Sequence, residues 1–204
     1  MTAQSPTLAH ALIPRCDWCS SDPLYQHYHD HEWGTPSHDR QYLFEMLCLE
    51  GQQAGLSWFT VLKKRDGYRQ CFFDFLPEKV AKLDEDDIAR YLHNAGLIRH
   101  RGKLNAIVHN ARCWLVLEQQ DIDPVKWLWS FVNAKLQPQV IQNYTQNPVQ
   151  TAASLAMSKA LKTAGFQFVG ATTCHAFMQA VGMISDHDPH CYRYTTSFVL
   201  HSHD

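Results

Sequence analysis

Apolar residues along this chain recur at intervals of three and four far more often than they alternate, a pattern that predicts helices rather than strands. Asp39 stands as a cap before a stretch running to Gln53, with Leu43, Met46 and Leu47 on one face. Ser57 opens a second stretch that carries Trp58, Val61 and Leu62 on towards Phe75. Pro77 and Asp84 begin two shorter helices, Gly96 interrupts, and a long helix is predicted from about Arg99 to Glu118. Asp123-Pro124 has the cap-then-proline form of a helix start. Thr151 begins a helix that Gly165 ends, and a last one runs from about Ala171 to Val181 before Gly182. Two prolines and many amides between Leu136 and Gln150 predict a long connection. The expected fold class is all-α.

Composition narrows this further. The chain has 204 residues, enough for one domain or two closely packed lobes. No apolar run approaches the roughly 18–20 residues that span a bilayer, and the first fifteen residues lack the form of a secretory signal. A cytoplasmic protein is expected. Seven cysteines in a reducing compartment argue against a disulfide framework and leave some free as metal ligands. A net charge of −2 neither announces nor excludes a nucleic-acid partner, since a local basic patch is sufficient.

The most informative acid is Glu50. It lies seven residues after Leu43 and four after Met46, so helical spacing puts it on the apolar stripe. A buried carboxylate is normally partnered or functional. Gln52, Gln53 and Trp58 follow it closely, and Trp18, Tyr25, Tyr28 and Trp33 place four aromatics within sixteen residues upstream. Such a set can sandwich a flat, positively charged base by stacking and cation–π attraction. The expectation is an ionised carboxylate facing an enclosed aromatic slot.

Two further constellations carry chemistry. The turn Asn94-Ala95-Gly96-Leu97 lies between helical stretches, and Arg99, Arg101 and Lys103 follow it at once, with His100 among them. Backbone N–H groups at the second helix start, with three fixed positive charges in five residues, suit a DNA phosphate, as does an ordinary solvated corner. Lys63, Lys64 and Arg65 form a second basic run with the same two readings. Cys16 and His29 are separated by twelve residues, and His187 and Cys191 by three, near opposite ends of the chain. This Cys₂His₂ set suits tetrahedral zinc with no open position. Cys19 offers a competing Cys-x-x-Cys pair with Cys16, and His27, His31 and His190 stand near enough to compete.

Three segments together resemble the 3-methyladenine DNA glycosylase I family. They are Cys16-Asp17-Trp18 with Asp22–Tyr25 and Tyr28–Gly34; Leu43–Met46 with Leu49–Trp58; and Gly165–Gly170 with Asp186-His187. The similarity extends from about Arg15 to Tyr192, leaving 1–14 and 193–204 as tails outside a helical body of 15–192. The resemblance implies a helix-hairpin-helix fold and base excision repair of alkylated DNA. The expected activity is hydrolysis of the N-glycosidic bond of 3-methyladenine in double-stranded DNA, leaving an abasic site, with no lyase step. It implies one structural zinc on Cys16, His29, His187 and Cys191, joining the two ends of the chain. It maps the base pocket onto Glu50, Tyr28 and Trp58, with Trp18, Tyr25 and Trp33 lining or supporting it. Glu50 is expected to bind the adenine edge, and Gly96, Leu97, Arg99, Arg101 and Lys103 to face the DNA backbone. No aspartate occurs between Asp87 and Asp121, so the catalytic aspartate many helix-hairpin-helix glycosylases carry has no counterpart. A monomer without membrane or protein partner is expected. Two rivals remain in view, a zinc-stabilised DNA-binding module without catalysis and a zinc hydrolase with an open metal site.

Overall fold

The computed structural model describes residues 13–133 and 148–194, with the backbone of 137–138 between them. Ten α-helices occur among the described residues: α1 (Pro23–His31), α2 (Arg40–Gln52), α3 (Trp58–Leu62), α4 (Arg65–Cys71), α5 (Pro77–Val80), α6 (Glu85–Tyr91), α7 (Arg101–Gln119), α8 (Pro124–Ser130), α9 (Ala152–Thr163) and α10 (Ala171–Ala180). A 3₁₀ turn spans Phe73–Phe75. Extended backbone is limited to a two-residue parallel pairing of β1 (Gln137–Pro138) with β2 (Ile184–Ser185). The expected all-α class holds. Of the predicted connection from Leu136 to Gln150, residues 136 and 139–147 lie outside the described residues.

The caps act where the sequence places them. Asp39 accepts from the Tyr42 N–H at 2.6 Å, Ser57 from Thr60, and Asp123 from Val125 and Lys126. Asp84 and Thr151 each form reciprocal capping boxes. Gly165 follows α9 with φ +91°, a conformation that favours glycine. The long helix begins at Arg101 rather than Arg99, because His100 is its cap and accepts from the Lys103 N–H.

Two expectations need correction. Helix α1 was not foreseen, although Asp22-Pro23 has the same cap-then-proline form as Asp123-Pro124; the Asp22 side chain accepts from Leu24. The stretch opened by Ser57 is not one helix. It breaks at Lys63-Lys64, and Arg65 begins α4 with its side chain turned inward. There Arg65 reaches Glu45 at 2.8 Å and Glu32 at 2.6 Å, so this part of the second basic run is internal rather than a DNA-facing charge. The Lys64 ammonium donates to the Ala95 carbonyl at 2.5 Å.

Helix α2 is the centre of the molecule. Every residue from Leu43 to Gln52 is buried, and α2 packs on α7 and α10, with α9 behind α10. Two glutamates are buried with it. Burial pushes Glu45 up, but the Arg65 and Arg69 guanidiniums overcome that and hold it below its ordinary value. Glu50, five residues on, has no such partner. The two ends of the described residues also meet: the Tyr192 N–H donates to the Pro14 carbonyl, and Arg193 donates to Thr35 Oγ1 at 2.9 Å. The body therefore includes residues 13–14 and 193–194, which the sequence assigns to tails.

Candidate functional site

Glu50 stands in the last turn of α2, 4% exposed, at a cavity of about 250 Å³. Trp18, Tyr25, Tyr28, Trp33, Gln53, Trp58, Ala176 and Gln179 complete its lining. All five aromatics read from the sequence are therefore brought together. Trp18 lies 5.0 Å from Tyr25 and 4.9 Å from Trp33 between ring centroids, and Tyr28 lies 5.3 Å from Trp58. These contacts fix the walls, so the slot does not depend on a ligand to assemble. Tyr25 also stacks on Phe59 at 4.9 Å, which docks α1 on α3.

The slot holds two orphaned polar atoms. Glu50 Oε2 and Trp58 Nε1 are both dry, and neither has a hydrogen-bond partner among the described residues. Native proteins rarely leave buried polar groups unmatched, so an acceptor and a donor converging on one cavity mark a place for a ligand. Desolvation raises Glu50 to about 8. In the empty slot the acid is thus mostly neutral at neutral pH. The ionised carboxylate expected from the sequence has no cation among the described residues to sustain it. Tyr28 is raised well above its ordinary value, by burial first and the Glu50 charge second.

Behind the aromatic wall lies the second cluster. Cys16, His29, His187 and Cys191 are buried, and their candidate ligand atoms lie within 4.8 Å of one another. Cys191 Sγ is 3.4 Å from His29 Nε2 and 3.7 Å from His187 Nδ1, and Cys16 Sγ is 3.5 Å from His187 Nδ1. The Cys16 thiol and both imidazoles pull Cys191 down to about 2, while Cys16 is raised by the same thiol pair and by burial. The set favours a thiolate and therefore a cation. His29 is oriented from outside: its Nδ1 meets Asp30 at 2.9 Å, and Arg15 grips Asp30 at 2.6 and 2.8 Å. Cys19 lies outside the cluster, which removes the Cys-x-x-Cys alternative. Gly34 permits the packing, since a Cβ there would lie 2.8 Å from His187 Nε2 and its φ is +74°.

Cluster and slot share structure. Trp18 follows Cys16 by two residues and lies 5.2 Å from the His29 ring; Trp33 packs edge-on to His187 at 4.7 Å. Tyr28 and His29 are neighbours on α1.

The hairpin between α6 and α7 departs from expectation. Its Gly96 has no positive φ, and the close approach there requires glycine at position 67 of α4: a Cβ on Gly67 would lie 2.5 Å from the Gly96 carbonyl. The Gly96 and Leu97 N–H groups are taken by Asn94, and that of Ile98 by the Tyr68 hydroxyl. Leu97 is buried. Lys103 is also buried, its ammonium donating to the Gln52 and Ala54 carbonyls at 2.8 and 2.6 Å, so it ties α7 to the end of α2 instead of facing outward. Gln52 returns the bond to the Lys103 carbonyl at 3.0 Å and accepts from Tyr68. Arg99 and Arg101 remain exposed at the start of α7, Arg101 beside Glu85 at 3.1 Å.

Sequence reasoning missed Ala176 and Gln179, whose only signal is one amide within an otherwise largely apolar helix. It placed both Gln52 and Gln53 near the slot; Gln53 lines it, whereas Gln52 faces the hairpin.

A family profile described as methyladenine glycosylase matches residues 18–194. DNA-3-methyladenine glycosylase 1 of Escherichia coli is 57% identical over 184 residues, covering 89% of this chain and 97% of that protein. A crystal structure of a 3-methyladenine DNA glycosylase I superposes with a TM-score of 0.86 at 53% identity, covering 88% of this chain and 98% of that one. The Staphylococcus aureus 3-methyladenine DNA glycosylase I, in a structure concerned with 3-methyladenine recognition, gives 0.84 at 39% identity over 88% and 96% of the two chains.

Burying Glu50 unpaired has a cost that depends on pH. Its folded value of about 8 stands above the ordinary 4.5, so folding favours the neutral acid. The penalty is absent below about pH 4.5, grows as pH rises, and levels off above about 8 at no more than roughly 5 kcal/mol. Glu50→Gln keeps the shape without the titration. Urea unfolding of both proteins from pH 5 to 9 is expected to show the variant gaining stability over the parent as pH rises. A difference that stays flat with pH would refute the dry environment assigned to Glu50.

Proposed function

This chain belongs to the methyladenine glycosylase family, and we propose that it removes 3-methyladenine from alkylated double-stranded DNA, with Glu50 as the recognising acid of the slot. The observation that carries this reading is the unpartnered, solvent-shielded Glu50 oxygen beside an aromatic-lined cavity of single-base size. A non-catalytic DNA-binding module has no need of such a feature.

Alkylation at N3 gives adenine a positive charge, which neutral bases lack. Extruded into the slot, the lesion stacks among Trp18, Tyr28, Trp33 and Trp58 and supplies the cation that the protein withholds from Glu50. The acid then ionises, its proton passing to solvent, and the charge pair selects the lesion over ordinary adenine. When the bond between C1′ and the base breaks, its electron pair neutralises the leaving base. Water adds to C1′ and gives up a proton, leaving an abasic site. The departing neutral base no longer holds Glu50 ionised, so the carboxyl regains a proton and the product loosens. No strong general acid is required, consistent with an α7 that carries no aspartate. Among the described residues no lysine lines the slot, and hydrolysis without a lyase step is proposed.

The DNA backbone is proposed to meet the start of α7 through Arg99, Arg101 and the free N–H groups there, where the helix dipole favours an anion. Gly96, Leu97 and Lys103 shape that surface from within rather than by direct charge. The protein is proposed to act as a monomer in the cytoplasm; among the described residues no helix is long and apolar enough to cross a membrane.

The cation of the second cluster is proposed to be one zinc held by Cys16, His29, His187 and Cys191. Ligands at about 2.0–2.3 Å from a tetrahedral zinc lie roughly 3.3–3.8 Å apart, and the measured separations of 3.4, 3.5 and 3.7 Å fit. With four protein ligands it supplies structure and no metal-bound water, which disfavours the open-site hydrolase.

Incubation with methylated duplex DNA, followed by chromatography of released bases, tests the activity: the protein should release 3-methyladenine, and Glu50→Gln should do so at least roughly tenfold more slowly. No release by the parent protein would overturn the proposal, and parent-like release by the variant would remove Glu50 from it. Metal analysis should find about one zinc per chain. Chelation should lower the melting temperature and shift tryptophan fluorescence, since Trp18 and Trp33 rest on the cluster; unchanged values after zinc loss would contradict the structural role.

A further inference from the structure

The base slot has a wall from α10 that neither the aromatic cluster nor Glu50 accounts for. Ala176 and Gln179, three residues apart on α10, face the cavity. The Gln179 amide is anchored from behind: its Nε2 donates to Asp186 Oδ2 at 2.5 Å. Asp186 is 2% exposed, and the neighbouring His175 ring lies 3.7 Å from the same oxygen. The carboxyl group thus determines which end of the amide points inward. A carboxylate accepts and cannot donate, so the NH₂ end faces Asp186 and the carbonyl is the end directed away from it. Among the described residues no donor reaches the Gln179 Oε1, and that atom is not among the fully buried unpartnered ones; Gln179 lines the cavity, so its carbonyl end is available to a ligand there.

We propose that Gln179 is a specificity-determining residue, presenting a fixed hydrogen-bond acceptor that reads an amino group on the purine in the slot. This rests on the proposed function. A base with an exocyclic amine has a donor to offer the Oε1. A base with a carbonyl at the same position brings two acceptors face to face, and rotation of the amide is opposed because it would set Oε1 against Asp186. Adenine derivatives are therefore accepted and 6-oxopurines rejected. A site built to bond a polar group discriminates strongly against an analogue that cannot bond it. Asp186 acts as a positioning residue, through Gln179 and without touching the base.

The test compares free 3-methyladenine with 3-methylhypoxanthine, which replaces the amine by a carbonyl, in titrations against the parent protein, Gln179→Met and Gln179→Ala. The parent is expected to prefer 3-methyladenine by at least roughly tenfold. Gln179→Met, similar in length and apolar, is expected to lose about tenfold for 3-methyladenine while 3-methylhypoxanthine is unchanged or tighter, the size of one hydrogen bond. Gln179→Ala should narrow the ratio in the same way, with zinc content and melting temperature reporting that both variants remain folded. Equal binding of the two bases by the parent would overturn the inference, as would equal losses for both bases in the variants. Release of 3-methyladenine from methylated DNA by the parent, measured in parallel, distinguishes these results from failure of the glycosylase reading itself.

Discussion

Two glutamates five residues apart on α2 share burial but not partners, and much of the structure follows from that difference. Glu45 is gripped by Arg65 and Arg69, and Arg65 leaves the surface to do so, breaking the helix that Ser57 begins. Glu50 is given nothing. Its second oxygen faces a cavity, dry and unmatched, and the acid is held neutral by desolvation. A lone buried carboxyl is stable only if surrounding walls stay closed and rigid. The walls around Glu50 come from α1, α2, α3 and α10, and each is fastened by contacts outside the slot.

The firmest fastening is the Cys₂His₂ cluster. It joins the segment before α1 to the segment after α10, and its residues are sequence neighbours of the slot: Cys16 of Trp18, His29 of Tyr28. The zinc proposed there would brace the rings of Trp18 and Trp33, which pack on His29 and His187. At the other end of α2, the reciprocal bonds between Gln52 and Lys103 link the slot to the first turn of α7. The segment that carries Glu50 and the helix start proposed to meet DNA phosphate are thereby one rigid unit, which keeps an extruded base and its backbone in register.

The helical class and the caps at Asp39, Asp84, Asp123 and Thr151 were legible because each rests on local spacing, whereas the choice of Cys16, His29, His187 and Cys191 over Cys19 and the neighbouring histidines came from the family resemblance. Glu50 was legible because a charge on an apolar stripe is anomalous. The errors arose where tertiary contacts override local appearance. Lys103 and Arg65 look like surface charges in sequence, and only the approach of α2 shows that they are internal. Gly96 looks like a positive-φ turn residue, yet it has no positive φ, and the glycine that the close approach requires is Gly67, against which the Gly96 carbonyl packs. Helix α1 was hidden because its aromatics serve the slot and the cluster and not a simple amphipathic face. Gln179 was invisible because an amide has no anomaly until its partner, seven residues on, is seen beneath it.

The central claim is that the acid at the end of α2 is neutral in an empty slot and becomes charged only when a flat cation enters. Carbon-13 NMR of protein labelled at the glutamate carboxyl carbons, assigned with Glu50→Gln, reads this directly. Without ligand the Glu50 resonance should titrate near pH 8, and at pH 7 it should move to the carboxylate position when a cationic N-alkylated purine is added. A resonance already ionised at pH 6 in the free protein, or one unmoved by a bound cation, would contradict the account.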